Sequence, residues 1–186
     1  AQTLDGEQRL YNRLGVIHYE TGNYKLAKNY FEKALALLPA TDPLYAEFKA
    51  NFQNNIASAL LNLEMYDTAK SIYLQLLPLD IYKNEVTQNL GLIDLSLGNP
   101  AAAIRWFKKS GITDGNSVFL YNKIAKAYLE MKNQDSAARY LTMAMEANLK
   151  WNGQTKNVAN GLCFFYKAEL ALLQNKPQQS IEFYQQ

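Results

Sequence analysis

His18 is the only histidine of the 186-residue chain, and Glu20 follows it in the stretch YNRLGVIHYE, residues 11–20. An imidazole beside a carboxylate is a minimum for acid–base work near neutral pH, and imidazole is also a common metal ligand. Both readings fail on arithmetic. Residues two apart on a helix point about 200° away from each other, so the pair cannot face one substrate. A zinc site needs two or three further His or Cys ligands, and the chain holds a single cysteine, Cys163. That residue begins the apolar run Cys163-Phe164-Phe165, which predicts a buried, inert thiol. No Gly-rich phosphate loop, HExxH or serine-nucleophile motif occurs. The sequence therefore calls for no catalytic residue, metal or cofactor, and His18 is expected to be packed with one ring nitrogen bonded locally.

Side-chain amides are more informative. Asn12-Arg13, Asn54-Asn55, Gln88-Asn89 and Asn122-Lys123 recur at intervals of 42, 34 and 34 residues. An amide carries both donors and an acceptor. A row of them can pair with the N–H and C=O groups of an extended peptide without reading its sequence. The plainer reading is that these residues cover a solvated helix face. Asn is a poor helix former, however, so its return at one place in a helical pattern argues for a use.

The pattern that carries the amides is a repeat. From Gln8 the chain gives Leu14-Gly15, Gly22, Tyr24, Ala27, Phe31, Ala34 and Pro39. From Ala50 the same offsets give Ile56-Ala57, Leu60, Tyr66, Ala69 and Tyr73. Asn84, Val118 and Gly161 open three further copies, with Ala103 and Phe107, Ala137 and Leu141, and Ser180 and Tyr184 at matching places. Apolar residues return with a 3.6-residue period, broken by short turns such as Thr21-Gly22-Asn23 and Leu97-Gly98-Asn99. Pro100 and Pro177 stand where second helices should begin, and a missing N–H costs nothing there. No period-two alternation marks a strand. Small residues at positions 8 and 20 let paired helices approach, and an aromatic ring at position 24 fills the gap that remains.

These offsets resemble the tetratricopeptide repeat over residues 8–186. The resemblance implies an all-α fold, a right-handed superhelical solenoid of antiparallel helix pairs. About four and a half repeats form a single array over 1–186, with starts near 8, 50, 84, 118 and 161 and the last repeat incomplete. The extra residues at 41–49 and 151–160 are similar to the longer, ~42-residue variant of the family. Thr41-Asp42-Pro43 predicts that the first helix of the second copy starts early and runs long, whereas Gly153 weakens the same expectation for the fifth copy.

The resemblance also implies a function. First helices of such arrays line a concave groove through positions 2, 5, 6, 9, 12 and 13. This makes Asn12, Arg13, Asn54, Asn55, Gln88, Asn89, Asn122, Lys123 and Lys126 candidate peptide-binding residues. Arg9 adds to the positive charge, and Tyr19, Leu61, Leu92, Leu95 and Phe119 supply apolar contacts. A clamp for the C-terminal carboxylate of heat-shock chaperones is not expected. Its matching positions are Asn12, Val16, Asn55, Glu85 and Asn89; only Asn55 fits, and Glu85 would repel the anion.

The expected chain is thus a non-catalytic binding scaffold or sensory module whose partner is a protein or extended peptide, within a longer polypeptide. Two alternatives are an RNA-binding helical-repeat protein and the regulatory part of an enzyme. A net charge of +2 argues against nucleic acid. No apolar run approaches the roughly 18 residues of a membrane span. The start at Ala1-Gln2-Thr3 would suit a mature end left by signal cleavage, a weak pointer to an extracytoplasmic place. The last copy shows Leu162, Phe165, Tyr166 and Leu172 as an apolar patch without a polar capping helix. Three readings stand for it: packing against following repeats, a ligand site, or a contact between copies.

Overall fold

The computed structural model describes residues 4–113, 117–150 and 156–186. The Ala1-Gln2-Thr3 start and Gly153, with the rest of 151–155, lie outside these residues. Among the described residues there are ten α-helices and no strand. They are α1 Leu4–Glu20, α2 Tyr24–Ala36, α3 Tyr45–Asn62, α4 Tyr66–Leu76, α5 Lys83–Ser96, α6 Pro100–Lys109, α7 Ser117–Glu130, α8 Gln134–Lys150, α9 Lys156–Leu173 and α10 Pro177–Tyr184. The chain divides into two compact units, Ala1–Ile93 and Asp94–Gln186.

One backbone device recurs in all five copies. Position 15 is left-handed every time, at Gly22, Glu64, Gly98, Lys132 and Asn175, with φ of 78°, 59°, 74°, 56° and 57°. The amide that follows reaches back five residues: Asn23 to His18, Met65 to Leu60, Asn99 to Asp94, Asn133 to Tyr128 and Lys176 to Ala171. The left-handed residue itself bonds three back, as Gly22 does to Tyr19 and Lys132 to Leu129. This is a Schellman closure, which satisfies the last carbonyls of the first helix and turns the chain into the second. Pro100 and Pro177 then open α6 and α10 as expected.

Packing follows the small and large positions. Ala27, Ala69, Ala103 and Ala137 at position 20 are buried, as are Phe31, Tyr73, Phe107 and Leu141 at position 24. In the first unit Phe31 lies over Gly15 so closely that a Cβ on the glycine would overlap the ring. Ala34 of α2 and Leu38 just beyond its end pack with Phe52 of α3, which joins one pair to the next. In the second unit Leu141 and Ala137 of α8 pack with Leu170 of α9, and Ala144 packs with Cys163. Each fully buried ring or branched chain contributes about 1.5–3 kcal/mol of burial.

The early start of the second copy's first helix takes a different form from the one expected. α3 begins at Tyr45 rather than at the Asp42-Pro43 step. The Asp42 carboxylate accepts the Leu44 amide at 2.7 Å, and the Tyr45 amide bonds to the Asp42 carbonyl. Asp42 thus closes a turn of its own before the helix, a known alternative use of Asx side chains. α3 still runs to 18 residues, against 14 for α5 and α7.

Candidate functional site

In the first unit, polar side chains of α1, α3, α4 and α5, with Tyr82 just before α5, bond to one another from element to element. Asn55 donates to Asn12 Oδ1 at 3.1 Å, and Asn62 donates to Tyr19 Oη at 2.9 Å. Asn51 donates to Tyr82 Oη and Asn54 to Glu85 Oε1, each at 2.9 Å. Asn89 donates to Tyr73 Oη, which also shares a hydrogen bond with Ser58. Burial pushes the Tyr73 hydroxyl well above the usual tyrosine range, with the Ser58 and Asn89 bonds acting against the shift.

Two depressions open along this face. One, of about 250 Å³, lies over Arg9, Asn12, Arg13, Phe48, Asn51 and Tyr82. The other, of about 270 Å³, lies over Val16, Tyr19, Glu20, Asn55, Ser58 and Glu85. The first is bordered by two guanidiniums and the Glu47 carboxylate, with Arg9 placed 5.8 Å over the Phe48 ring. The second is bordered by two carboxylates. Asn12 and Asn55 each border one depression, and their mutual bond leaves a donor on Asn12 and the Oδ1 acceptor of Asn55 unused among the described residues.

The nine candidate residues separate by depth. Arg13 and Lys126 are exposed, and Asn12, Asn55, Gln88, Asn89 and Lys123 are half-buried. Asn54 and Asn122 are not displayed at all, at 3% and 1% exposure. Asn54 spends its amide on Glu85; Asn122 spends its own on the Val118 carbonyl and on Cys163 Sγ at 3.3 Å. The expectation that these two face a ligand is corrected: a neighbouring first helix covers position 5, and their amides join helices. Leu95 is likewise buried, while Tyr19, Leu61, Leu92 and Phe119 stay half-exposed. Lys123 has its charged form disfavoured by burial. Glu169 is held above the usual carboxylate range by burial, with Lys126 acting against the shift.

His18 is packed, as expected, but by its ring face. It stacks on Tyr30 at 5.3 Å with 9° between planes, and its buried Nδ1 has no hydrogen-bond partner among the described residues. The locally bonded nitrogen is therefore corrected to a ring stack. Cys163 is fully buried, and burial raises its thiol above the usual range. Among the described residues no three His, Cys, Asp or Glu side chains converge as metal ligands, and no helix is long and apolar enough to cross a membrane.

Two family models, both for the tetratricopeptide repeat, match residues 8–41 and 50–80. Residues 8–41 and 50–80 belong to the tetratricopeptide-repeat family. Solved structures bear out this tetratricopeptide-repeat fold. BtubC (BKLC) from P. vanneervenii is 13% identical over 100% of this chain and 89% of its own, with a TM-score of 0.76. MamA, residues 41 to the end, from Desulfovibrio magneticus RS-1 is 12% identical over 97% and 92%, at 0.69. YrrB, a TPR protein with an unusual peptide-binding site, is 14% identical over 93% and 80%, at 0.60. No curated protein matches the sequence. The tetratricopeptide-repeat fold is that of a protein-interaction scaffold.

Asn51, Phe48 and Tyr82 border the depressions without having been singled out from sequence, and Glu20, weighed there only as a partner for His18, borders one too. A signal existed for Asn51. It stands one helical turn before Asn55, hence on the same face.

Proposed function

We propose that the chain binds an extended protein segment along the first helices of residues 1–93, with Asn12, Arg13, Asn55, Gln88 and Asn89 as its polar contacts. One observation carries the reading: the Asn12–Asn55 pair is held by its own bond and still offers one donor and one acceptor to the depressions. Those are the two group types a peptide backbone needs, and their order is fixed before the ligand arrives. Lys123 and Lys126 of the second unit form a separate cationic contact in the same reading. The peptide-binding site named for YrrB lends support by analogy of fold.

Charge favours a polypeptide over RNA. Arg9 and Arg13 are offset along the same face by Glu20, Glu47 and Glu85, whereas phosphate-tracking grooves are dominated by cations. Panning a random-peptide library against the 186-residue chain should yield binders that weaken about thirtyfold when Asn55→Ala is combined with Asn89→Ala, from roughly 1 kcal/mol per lost hydrogen bond. Far-UV circular dichroism should be unchanged. Equal affinity for both proteins, or tight salt-dependent RNA binding with no peptide recovered, would overturn the reading.

A further inference from the structure

The depression over Val16 and Tyr19 offers a ligand acceptors and negative charge. Its lining holds two carboxylates, Glu20 and Glu85, and no lysine, arginine or histidine. Neither carboxylate is in an ion pair among the described residues. Asn55 sends its amide hydrogens elsewhere, to Asn12 Oδ1 at 3.1 Å and Asn51 Oδ1 at 3.4 Å, and is left with an acceptor. Tyr19 and Phe31 supply aromatic surface. Tyr19 and Glu20 also belong to the last turn of α1, the negative end of its helix dipole.

A buried group holds one of the carboxylates in place. Asn54 is 3% exposed, and its Oδ1 has no partner among the described residues. The one bond of this amide runs from Nδ2 to Glu85 Oε1 at 2.9 Å. An unmet buried acceptor costs stability, so the fold gives something up to tie Glu85 beside the depression. The second Glu85 oxygen accepts no bond among the described residues. Burial raises the Tyr19 and Tyr73 hydroxyls, and the Glu85 charge adds to the rise at both. Its field thus reaches across the depression.

We propose that this depression receives a lysine or arginine side chain of the bound segment, with Glu20 and Glu85 as counter-charges and Asn55 Oδ1 as a further acceptor. The proposal rests on the groove reading above and adds the chemistry of one ligand residue. Ammonium and guanidinium groups are donors only, and both are drawn to aromatic faces and carboxylates. An acidic side chain would be repelled here. A cavity of about 150 Å³ holds benzene, so about 270 Å³ admits the stem and head of one basic side chain. The neighbouring depression, with Arg9 and Arg13 against Glu47, does not compete for it.

Peptides selected from a random library on the 186-residue chain provide the probes. Each should carry a lysine or arginine whose replacement by norleucine or citrulline weakens binding about tenfold. The loss should shrink as salt is raised. Glu20→Gln with Glu85→Gln keeps the side-chain shapes, and on that variant the replacement should make no difference. The norleucine or citrulline peptide should bind the variant and the unsubstituted chain alike, which also shows that the variant is folded. Selection on Glu20→Lys with Glu85→Lys should return an acidic residue instead. Binders without a basic residue, or with one that matters equally to both proteins, would overturn this inference. If those binders still weaken with Asn55→Ala and Asn89→Ala, the groove reading stands without it. Recovery of no peptide at all would overturn both.

Discussion

Gly15 and Phe31 are fitted to each other: a methyl on the glycine would overlap the phenyl ring, and even the far ring carbon Cζ would lie 3.0 Å from it. The ring is buried, so it cannot swing aside into solvent. Gly15→Ala should therefore cost about 1–3 kcal/mol through overpacking, even though alanine is the better helix former by roughly 1 kcal/mol. Gly161 is also helical, but a Cβ there meets nothing within 4 Å. Gly161→Ala should stabilise by up to about 1 kcal/mol. Urea denaturation of the two variants should give shifts of opposite sign; a shared sign would mean that the Gly15 contact relaxes.

Lys132 occupies a left-handed turn position that glycine fills at Gly22 and Gly98. A side chain pays roughly 1–2 kcal/mol for that conformation. Lys132→Gly should raise the midpoint of thermal unfolding, by about 0.5–1 kcal/mol in stability after glycine's added chain entropy. Gly98→Ala should lower stability by about 1 kcal/mol or more.

Tyr73 links stability to alkaline pH. Its hydroxyl is raised first by burial, with the Ser58 bond pulling the other way. Unfolded tyrosine ionises near about pH 10. The folded chain prefers the neutral phenol, so the stability linked to it is whole below that pH and is lost as pH rises toward the folded value. Tyr73→Phe should cost about 1 kcal/mol at neutral pH, from the bonds to Ser58 and Asn89. The same variant should lose stability less steeply above about pH 10, which denaturant titrations at stepped pH will measure.

Cys163 reports opening of the second unit. The thiol is fully buried and burial disfavours the thiolate, so a thiol-specific reagent should label the native chain far more slowly than the urea-unfolded one. Rapid native labelling would mean that α7 and α9 part readily around the Asn122 contact.

The periodic part of the fold was legible because each signal acts locally. Pro100 and Pro177, the buried position-20 alanines and the Gly22 and Gly98 turns depend on residues within one helical hairpin. The depth of Asn54 and Asn122 was not legible in the same way. A 3.6-residue period assigns a side chain to a sector of the helix, but the edge of that sector is fixed by the neighbouring first helix, a repeat away in sequence. His18 illustrates the same limit, since its packing partner turned out to be the Tyr30 face rather than a polar atom. The beginning of α3 was obscured by Asp42, whose carboxylate suits a helix cap and an Asx turn equally well.

The recurring left-handed closure makes chain length a modular quantity. Every hairpin bends by bonds that reach no more than five residues back, so residues can be gained at a first helix's entrance without altering the geometry of any bend. The 42-residue spacing across 41–49 is such a gain. Whole hairpins are then the natural units for duplication, deletion or grafting, and cut points just before a first helix should preserve folding where cuts inside a hairpin destroy it.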